Sequence, residues 1–305
     1  MRRFRERVAR RFQPRGNTDC LLILPCSRRK PYSKSRSHRL FAEATGGARR
    51  RINIREVILT SPLGAVPREL EAVPPAGHYD IPVTGIWSEE EIAVTSGSLT
   101  GAIRAYPGED ISVIAHVSGG YRETCRRAEM EMNAEFVYTG GERPTSQKSL
   151  EMLSDALGRV EGSRTHPDPL ELSRLVLSYQ FGTDPGNAMA QAPSRLEKRG
   201  NNLSIERVNG RVARLNSYNG LFIPGPVGSS ILSEMDSYCV DIDFELKEKV
   251  LYSPGVVSAD GQIRPGDEVV IRREGTAVGQ GRSILGGESM TRSDRGKAVV
   301  LRELF

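Results

Sequence analysis

Residues 25–38, PCSRRKPYSKSRSH, place a cysteine, two lysines, a tyrosine, four serines, a histidine and three arginines in one short stretch. The chemistry available there starts from sulfur. A thiolate at Cys26 is a nucleophile, and positive charge on Arg28, Arg29 and Lys30 would favour its ionised form. A lone cysteine serves as readily as a small buried apolar side chain, so its neighbours and its place in the fold decide between the two. Tyr32, Ser35 and His38 are the nearby groups that could orient a substrate or move a proton. A second candidate is the Pro- and Gly-framed run PPAGHYDIPVTGIWSEEE, residues 74–91. Its adjacent His78, Tyr79 and Asp80 offer acid–base groups, and Asp80 a partner for an amine or a ribose hydroxyl. His116, inside an apolar run, reads as a satisfied core histidine, and His166 lies in a turn-rich stretch and receives no role.

These side chains need a scaffold, and the apolar runs supply one. CLLILPC, REVILTSP, ISVIAHV and EFVYTG are near-continuous apolar segments, as expected of parallel strands buried on both faces. Between them lie helical patterns. Ser88 followed by three glutamates marks a helix start, and YRETCRRAEMEMN puts Tyr121, Cys125, Ala128 and Met132 on one face. Alternating strand and helix predict an α/β fold with an open, mostly parallel sheet. Cys26 then falls at the carboxyl end of the first strand, where open α/β sheets bind ligands. After a further helix, SQKSLEMLSDALGRV, the turn-rich GSRTHPDP reads as a linker. A helix ending at Gly182, a polar loop to Asn202 and short strands joined by Asn-Gly turns predict a small α+β domain. Closely spaced strands from about Asp241 predict a small β-barrel. The expected division is a basic arm over 1–18, an α/β core over 19–161, an α+β domain over 168–240 and a barrel over 241–305.

Charge is distributed unevenly. Residues 1–51 hold 16 Arg and Lys against three acids, a net of +13, and the remaining 27 bases face 35 acids, a net of −8. Such asymmetry suggests a polyanionic partner, of which nucleic acid is the commonest. Residues 1–18 are expected to be a mobile arm, or at most a short basic helix that a polyanion could order. No run of eighteen apolar residues and no apolar segment behind the N-terminal arginines suggests a membrane span or a secretory signal. Four scattered cysteines, without a CxxC pair, fit a reducing compartment and give no support for zinc, so a cytoplasmic protein with no metal and no cofactor is expected.

The motif PCSRRKPYSKSRSH resembles the Pro-Cys, Lys-Pro-Tyr, Ser, His signature of archaeosine synthases, archaeal enzymes that act on 7-cyano-7-deazaguanine installed in the D-loop of tRNA. LTSPLGAVPRELE and AGHYDIPVTGIWSEEE are similar to the next two segments of that family. LVLSYQFGTDPGNAM and NGRVARLNSYNGLF resemble the small domain that precedes the RNA-binding module in this synthase and in archaeosine-type tRNA-guanine transglycosylases. YSPGVVSADGQIRPGDEVVI, GQGRSILGGESM and GKAVV resemble a PUA domain, an RNA-binding barrel. Longer family members carry an N-terminal transglycosylase-like domain, for which this sequence offers only the arginine-rich segment before Cys20, so base exchange is not expected of it.

The resemblance implies addition of an amine, lysine or in its place glutamine, to the tRNA-bound nitrile to form an amidine, with a radical-type partner enzyme completing the base and a separate tRNA-guanine transglycosylase installing it. It implies a catalytic set of Cys26, Lys30, Tyr32, Ser35, His38, His78 and Asp80. RNA contacts are expected from Arg28 and Arg29, and in the barrel from Arg264, Gly266, Arg272 and Arg282, with Gly255 and Gly281 allowing close backbone approach. Two other classes remain open at this level: a non-catalytic tRNA-binding subunit, and a glycosylase-like nucleobase enzyme.

Overall fold

The computed structural model describes residues 1–79, 86–166, 168–200 and 202–305. The chain divides into two compact units, Met1–Glu171 and Leu172–Phe305.

In the first unit, helix α1 (Arg2–Arg11) precedes strand β1 (Cys20–Pro25), then come α2 (Arg36–Thr45), β2 (Ile54–Thr60), β3 (Gly64–Pro67), α3 (Glu89–Ala105), β4 (Ser112–Ala115), α4 (Gly120–Met132), β5 (Phe136–Tyr138) and α5 (Gln147–Gly158). The sheet order is β3-β2-β1-β4-β5. β1 is parallel to both neighbours, Ile23 lying opposite Val57 on β2 and Ala115 on β4. Leu21, Leu22, Ile23 and Leu24 are all fully buried, which is why β1 reads as a continuous apolar run instead of an alternation. Only β3 runs antiparallel, against β2. The chain therefore builds to one side of β1 and then returns to build on the other. The carboxyl ends of β1 and β4 flank the point where the order reverses, the position at which such sheets bind ligands.

One face of the sheet is covered through Leu22, Leu24, Phe41, Ile114, Leu153 and Leu157, contributed by β1, α2, β4 and α5. α3 packs on β2 and β3 and against α4. Its start is fixed by a capping box: the Ser88 hydroxyl accepts from the Glu91 N–H, and the Glu91 carboxylate accepts from the Ser88 N–H at 2.8 Å. Three glutamates in the first turn also complement the helix dipole.

The basic N-terminal segment is an ordered helix, not a mobile arm. Phe4 and Val8 of α1, with Phe12 beyond its end, follow the four-residue spacing of one helical face, and all three are buried. α1 packs on α3, the Phe12 ring meets Tyr106 edge-on at 5.5 Å, and Arg5 donates to the Pro62 carbonyl at 3.0 Å. Apolar contact, with no polyanion required, holds it. Residues 163–165, expected as free linker, are tied back: Arg164 N–H donates to the Arg51 carbonyl, and Asn53 bonds both Ser163 and Thr165.

The second unit contains α6 (Glu171–Phe181, beginning at the last residue of the first unit), α7 (Thr183–Ala190), β6 (Arg195–Arg199), β7 (Asn202–Arg207), β8 (Gly210–Asn216), β9 (Leu221–Pro224) and α8 (Pro226–Glu234). The four strands form an antiparallel sheet in sequence order. The stretch expected as a polar loop to Asn202 thus holds a helix and a strand. Ile205, Val212, Ala213 and Phe222 are buried, and α8 packs on β8. Then follow β10 (Cys239–Ile242), β11 (Val250–Tyr252), β12 (Ser258–Ala259), β13 (Glu268–Arg273), β14 (Thr276–Ser283), α9 (Gly287–Arg292) and β15 (Lys297–Leu304). Their six-stranded sheet has the order β11-β15-β14-β13-β10-β12, with β10 parallel to β13. Gly281 serves packing: a Cβ there would lie 2.5 Å from the Val300 carbonyl oxygen of β15, so it offers no approach to a phosphate.

If α1 is integral to the first unit, Phe4→Ala should destabilise it by about 3 kcal/mol, the usual cost of truncating a buried phenylalanine. Urea unfolding followed by circular dichroism tests this, and an unchanged midpoint would return the segment to the status of an arm.

Candidate functional site

Cys26 follows β1 directly, and its N–H donates to the Leu59 carbonyl at 3.0 Å, so the parallel ladder continues into the motif. The Cys26 sulfur lies 3.1 Å from the Tyr121 hydroxyl. Tyr121 stands in the first turn of α4, beyond the carboxyl end of β4, and its ring packs against Trp87 with centroids 4.6 Å apart. The sheet's reversal point is therefore bridged by a thiol and a phenol from its two sides. Cys26 is partly exposed, whereas Cys20, Cys125 and Cys239 are buried. Burial pushes the Cys20 and Cys239 thiols up to about 12 and Cys125 up as well.

A second set of phenols lies beside the thiol. Tyr32 is fully buried, with its hydroxyl 2.9 Å from that of Tyr79, which in turn lies 2.7 Å from the Thr60 hydroxyl. The Lys30 ammonium sits 3.8 Å from the Tyr79 ring centroid, a cation–π contact. Burial raises the phenols of Tyr32, Tyr79 and Tyr121, and negative charge on Cys26 adds to this for all three. They stay protonated. When Cys26 is a thiolate, the Tyr121 hydroxyl has to be the donor in their hydrogen bond.

The rest of the motif positions the thiol. Ser35 caps α2, its hydroxyl accepting from the His38 N–H at 3.2 Å. The cap sets His38 in the first turn with its ring directed back to β1. Nε2 lies 3.0 Å from the Pro25 carbonyl oxygen, and Nδ1 lies 2.8 Å from an Arg68 guanidinium nitrogen. A guanidinium only donates, so Nδ1 accepts and Nε2–H donates to Pro25. Burial first, and then Arg68, lower His38 to about 4. It is a neutral imidazole with both nitrogens committed, which positions the residue before Cys26 and leaves no lone pair for a substrate proton.

Arg68 is itself clamped. Its Nε donates to Glu56 at 2.5 Å and its Nη1 to Glu71 at 2.7 Å; Glu56 also pairs with Arg49, and Glu71 accepts from the Ser33 N–H at 3.0 Å. The cluster thus holds the motif loop at Ser33 and at His38. Arg68, Glu56, Glu71, Tyr121 and Trp87 had no assigned role in the sequence. One signal was present: Glu56 is a carboxylate directly before the apolar run VIL of a strand expected to be buried, and a buried charge needs a partner.

The other expected site residues fall as follows. His78 is at the surface, and its neighbour Tyr79 is the one that reaches Lys30 and Tyr32. Asp80 lies outside the described residues. Arg28 and Arg29 are exposed beside Cys26. Arg264 is exposed but donates to the Gly261 and Ile263 carbonyls at 2.6 and 2.8 Å, and Arg282 is exposed with Nε 3.3 Å from the Gly266 carbonyl. Gly266 has φ +90°, which a glycine adopts without strain. Arg272 departs from its expected RNA role. It pairs with both oxygens of Asp241 and with Asp236, and donates to the Ser233 carbonyl, so its donors are used inside the unit. His116 is a satisfied core histidine, bonded to the Thr139 hydroxyl at 2.9 Å and the Pro144 carbonyl at 2.7 Å. Among the described residues no three His, Cys, Asp or Glu side chains gather in a group that could hold a metal ion, and no helix is long and apolar enough to cross a membrane.

Residues 1–157, which contain the whole of this site, match the family described as a domain of unknown function, DUF5591. The chain belongs to the DUF5591 family. Residues 242–305 match the PUA domain, so this DUF5591 chain pairs the site-bearing domain with a PUA module. It is 35% identical to archaeosine synthase subunit alpha of Methanosarcina acetivorans, over 99% of this chain and 49% of that protein, and 37% identical to archaeosine synthase subunit alpha of Thermococcus kodakarensis, over 99% and 53%. It spans about half the length of these curated relatives. The crystal structure of AF0587, a protein of unknown function, superposes with a TM-score of 0.76 at 30% identity, covering 99% of each chain. The archaeosine synthase resemblance of the motifs therefore extends along the whole DUF5591 chain.

Two measurements test the geometry. Brief treatment of the native protein with iodoacetamide should label Cys26 and spare the three buried cysteines, as peptide mass spectrometry would show; equal labelling of Cys125 would contradict the packing. Acid should unfold the first unit through its neutral histidines. His38 and His116 are both lowered by burial to about 4, against about 6.5 unfolded. The stability they support is complete above pH ~6.5 and is lost progressively as pH falls towards ~4, by roughly 3 kcal/mol for each. Urea titrations across that window check the loss, and His38→Gln should flatten part of it.

Proposed function

We propose that this chain carries the amidine-forming centre of archaeosine synthesis and acts on 7-cyano-7-deazaguanine in tRNA. The observation that carries the proposal is the partly exposed Cys26 thiol bonded to the neutral Tyr121 phenol at the reversal point of the sheet, within a motif that resembles the archaeosine synthase signature. A nitrile carbon is a weak electrophile, and a thiolate is a strong nucleophile for it. Sulfur adds to the nitrile carbon while the nitrile nitrogen takes a proton, giving a thioimidate. An amine then adds to that carbon, the carbon–sulfur bond breaks, and sulfur leaves with a proton to restore the thiol. The net change is nitrile plus amine to amidine, with no redox step.

Tyr121 is placed to stabilise the thiolate and to pass the proton between sulfur and nitrogen. Lys30 supplies positive charge beside the phenol pair. Tyr32 and Ser35 fix the loop and His38 holds the Pro25 carbonyl. The incoming amine, lysine or glutamine, is assigned to Asp80 and His78 on the strength of the sequence pattern. In this reading residues 19–161 are the catalytic domain, residues 168–240 a small intervening domain and residues 241–305 the RNA-binding module. Arg28, Arg29, Arg264 and Arg282 contact phosphate. A transglycosylase installs the nitrile base beforehand, and a radical-type enzyme completes it.

The decisive experiment incubates the purified chain with nitrile-bearing tRNA and labelled lysine, with glutamine in parallel, and follows digested nucleosides by mass spectrometry. Cys26→Ala should lower adduct formation by on the order of 10³-fold or more, and Tyr121→Phe by roughly 10²-fold. A Cys26→Ala protein that forms the adduct at the normal rate would refute the covalent route, and free base released into solution would point to glycosylase chemistry. Product made by the chain alone excludes a purely RNA-presenting role.

A further inference from the structure

The second unit carries a basic surface outside the PUA module. The antiparallel strands β6, β7 and β8 form a cleft of about 500 Å³. Five arginines line it: Arg195, Arg199, Arg207, Arg211 and Arg214. Glu197 and Glu206 are its acidic lining residues, so five positive and two negative side chains leave a net +3. Strand register explains the concentration. Arg195 lies opposite Glu206, which lies opposite Arg211; in the next row Glu197 faces Ser204, which faces Arg214; Arg199 faces Asn202. Residues two apart on one strand share a face about 6.6–6.8 Å apart, and neighbouring strands lie about 4.8 Å apart. The result is a charged lattice wider than a single small anion needs.

The arginines differ in how they are held. Arg207 is anchored by the Ser194 hydroxyl at 2.8 Å and the Ala188 carbonyl at 2.5 Å, and Arg211 reaches Glu303 at 3.3 Å while its Nε is buried with no partner. Arg195 and Arg199 are exposed and share one carboxylate, Glu197, at 3.4 and 3.2 Å. The Arg214 side chain is exposed, and its guanidinium has no ion-pair or hydrogen-bond partner among the described residues. An internal structural role would pair each guanidinium, as happens to Arg272 in the same unit. Here cations outnumber the acids that could neutralise them, on a solvated face whose opposite side is the packed one.

We infer that this face of the β6–β8 sheet binds the phosphate backbone of the tRNA, as a second RNA contact beside the PUA module. The inference rests on the reading of the chain as a tRNA-acting protein. Arg207 and Arg211 form a fixed base to the cleft, and Arg195, Arg199 and Arg214 exchange weak or absent internal contacts for phosphate oxygens. Contacts of this kind place the RNA without reading its bases. Each one releases counterions and steepens the dependence of binding on salt.

The test measures binding of a tRNA transcript to the full chain across a series of salt concentrations. The triple variant Arg195→Ala, Arg199→Ala, Arg214→Ala changes only exposed side chains. It should weaken binding about tenfold and reduce the slope of log affinity against log salt by about 2–3. Glu197→Gln removes the carboxylate that Arg195 and Arg199 share and should tighten binding, a gain that misfolding would not produce. An unchanged constant and slope in the triple variant overturn the inference. So does a cleft that takes inorganic tripolyphosphate while tRNA binding is unaffected, which would mark a small-anion pocket. The lysine-adduct assay separates the two readings: adduct formed with an unchanged triple-variant slope defeats the cleft and spares the catalytic reading, and cleft-dependent tRNA binding without adduct does the reverse.

Discussion

The Arg68 guanidinium is the contact on which the first unit's site depends. It joins β2, through Glu56, to the motif loop, through Glu71 and the Ser33 N–H, and to the end of β1, through His38 and the Pro25 carbonyl. Burying a cation in this way is costly unless it is paired, and here two carboxylates and an imidazole accept from its three nitrogens. Removing one member would leave a charge without its partner, a penalty of about 3–5 kcal/mol in buried pairs. The loop after β1 is therefore rigid where a run of Ser, Arg and Lys would otherwise suggest mobility. Cys26 is presented by a strand end held from beneath.

This positioning network is separate from the groups that surround the Cys26 sulfur. His38 sits within the signature, yet its two nitrogens are both occupied, one by a cation and one by a carbonyl. Its conversion to imidazolium would set a proton against Arg68. The groups next to sulfur are instead phenols: Tyr121 at 3.1 Å and Tyr79, over whose ring the Lys30 ammonium sits. Phenols kept neutral by burial donate hydrogen bonds over the whole physiological range, which is what the proposed route through a thiolate and a protonated nitrogen would require. The sheet topology brings this about, because β1 delivers the thiol and α4 delivers Tyr121 from opposite sides of the reversal point.

Much of this was legible in the sequence where the signal is local. Apolar continuity marked β1, β2, β4 and β5, Ser88 with Glu91 marked the start of α3, and the strand-end position marked Cys26. What escaped was set by contacts distant in sequence. Tyr121 appeared only as an apolar helix position, and its use as partner to Cys26, 95 residues away, is a product of the fold. Arg68 and Glu71 lie within the family-like segment LTSPLGAVPRELE, where spacing alone gives neither a partner. β6 was missed because RLEKR carries one apolar residue, and its strand character comes from pairing with β7. α7 was missed because TDPGNAMA opens with Thr, Asp, Pro and Gly, and Gly186 is needed there because it packs so closely on Ser178 that a side chain would not fit.

The charge argument changes most when contacts are known. The +13 of residues 1–51 suggested a polyanion footprint, but a net charge counts every arginine equally. Several of these are internal ties: Arg5 to the Pro62 carbonyl, Arg49 to Glu56, and Arg51 to the Leu157 and Val160 carbonyls at the end of α5, where a cation complements the helix dipole. Conversely, residues 52–305 are acidic in total, yet they hold the β6–β8 face, where exposed guanidinium groups outnumber their possible partners. A polyanion responds to the charge left unneutralised on a surface, within a Debye length of about 10 Å, and not to the sum along a segment. By that criterion the exposed arginines beside Cys26 and those of the small sheet count for more than the segment totals suggest, while α1 is fixed by its apolar contacts whatever its charge.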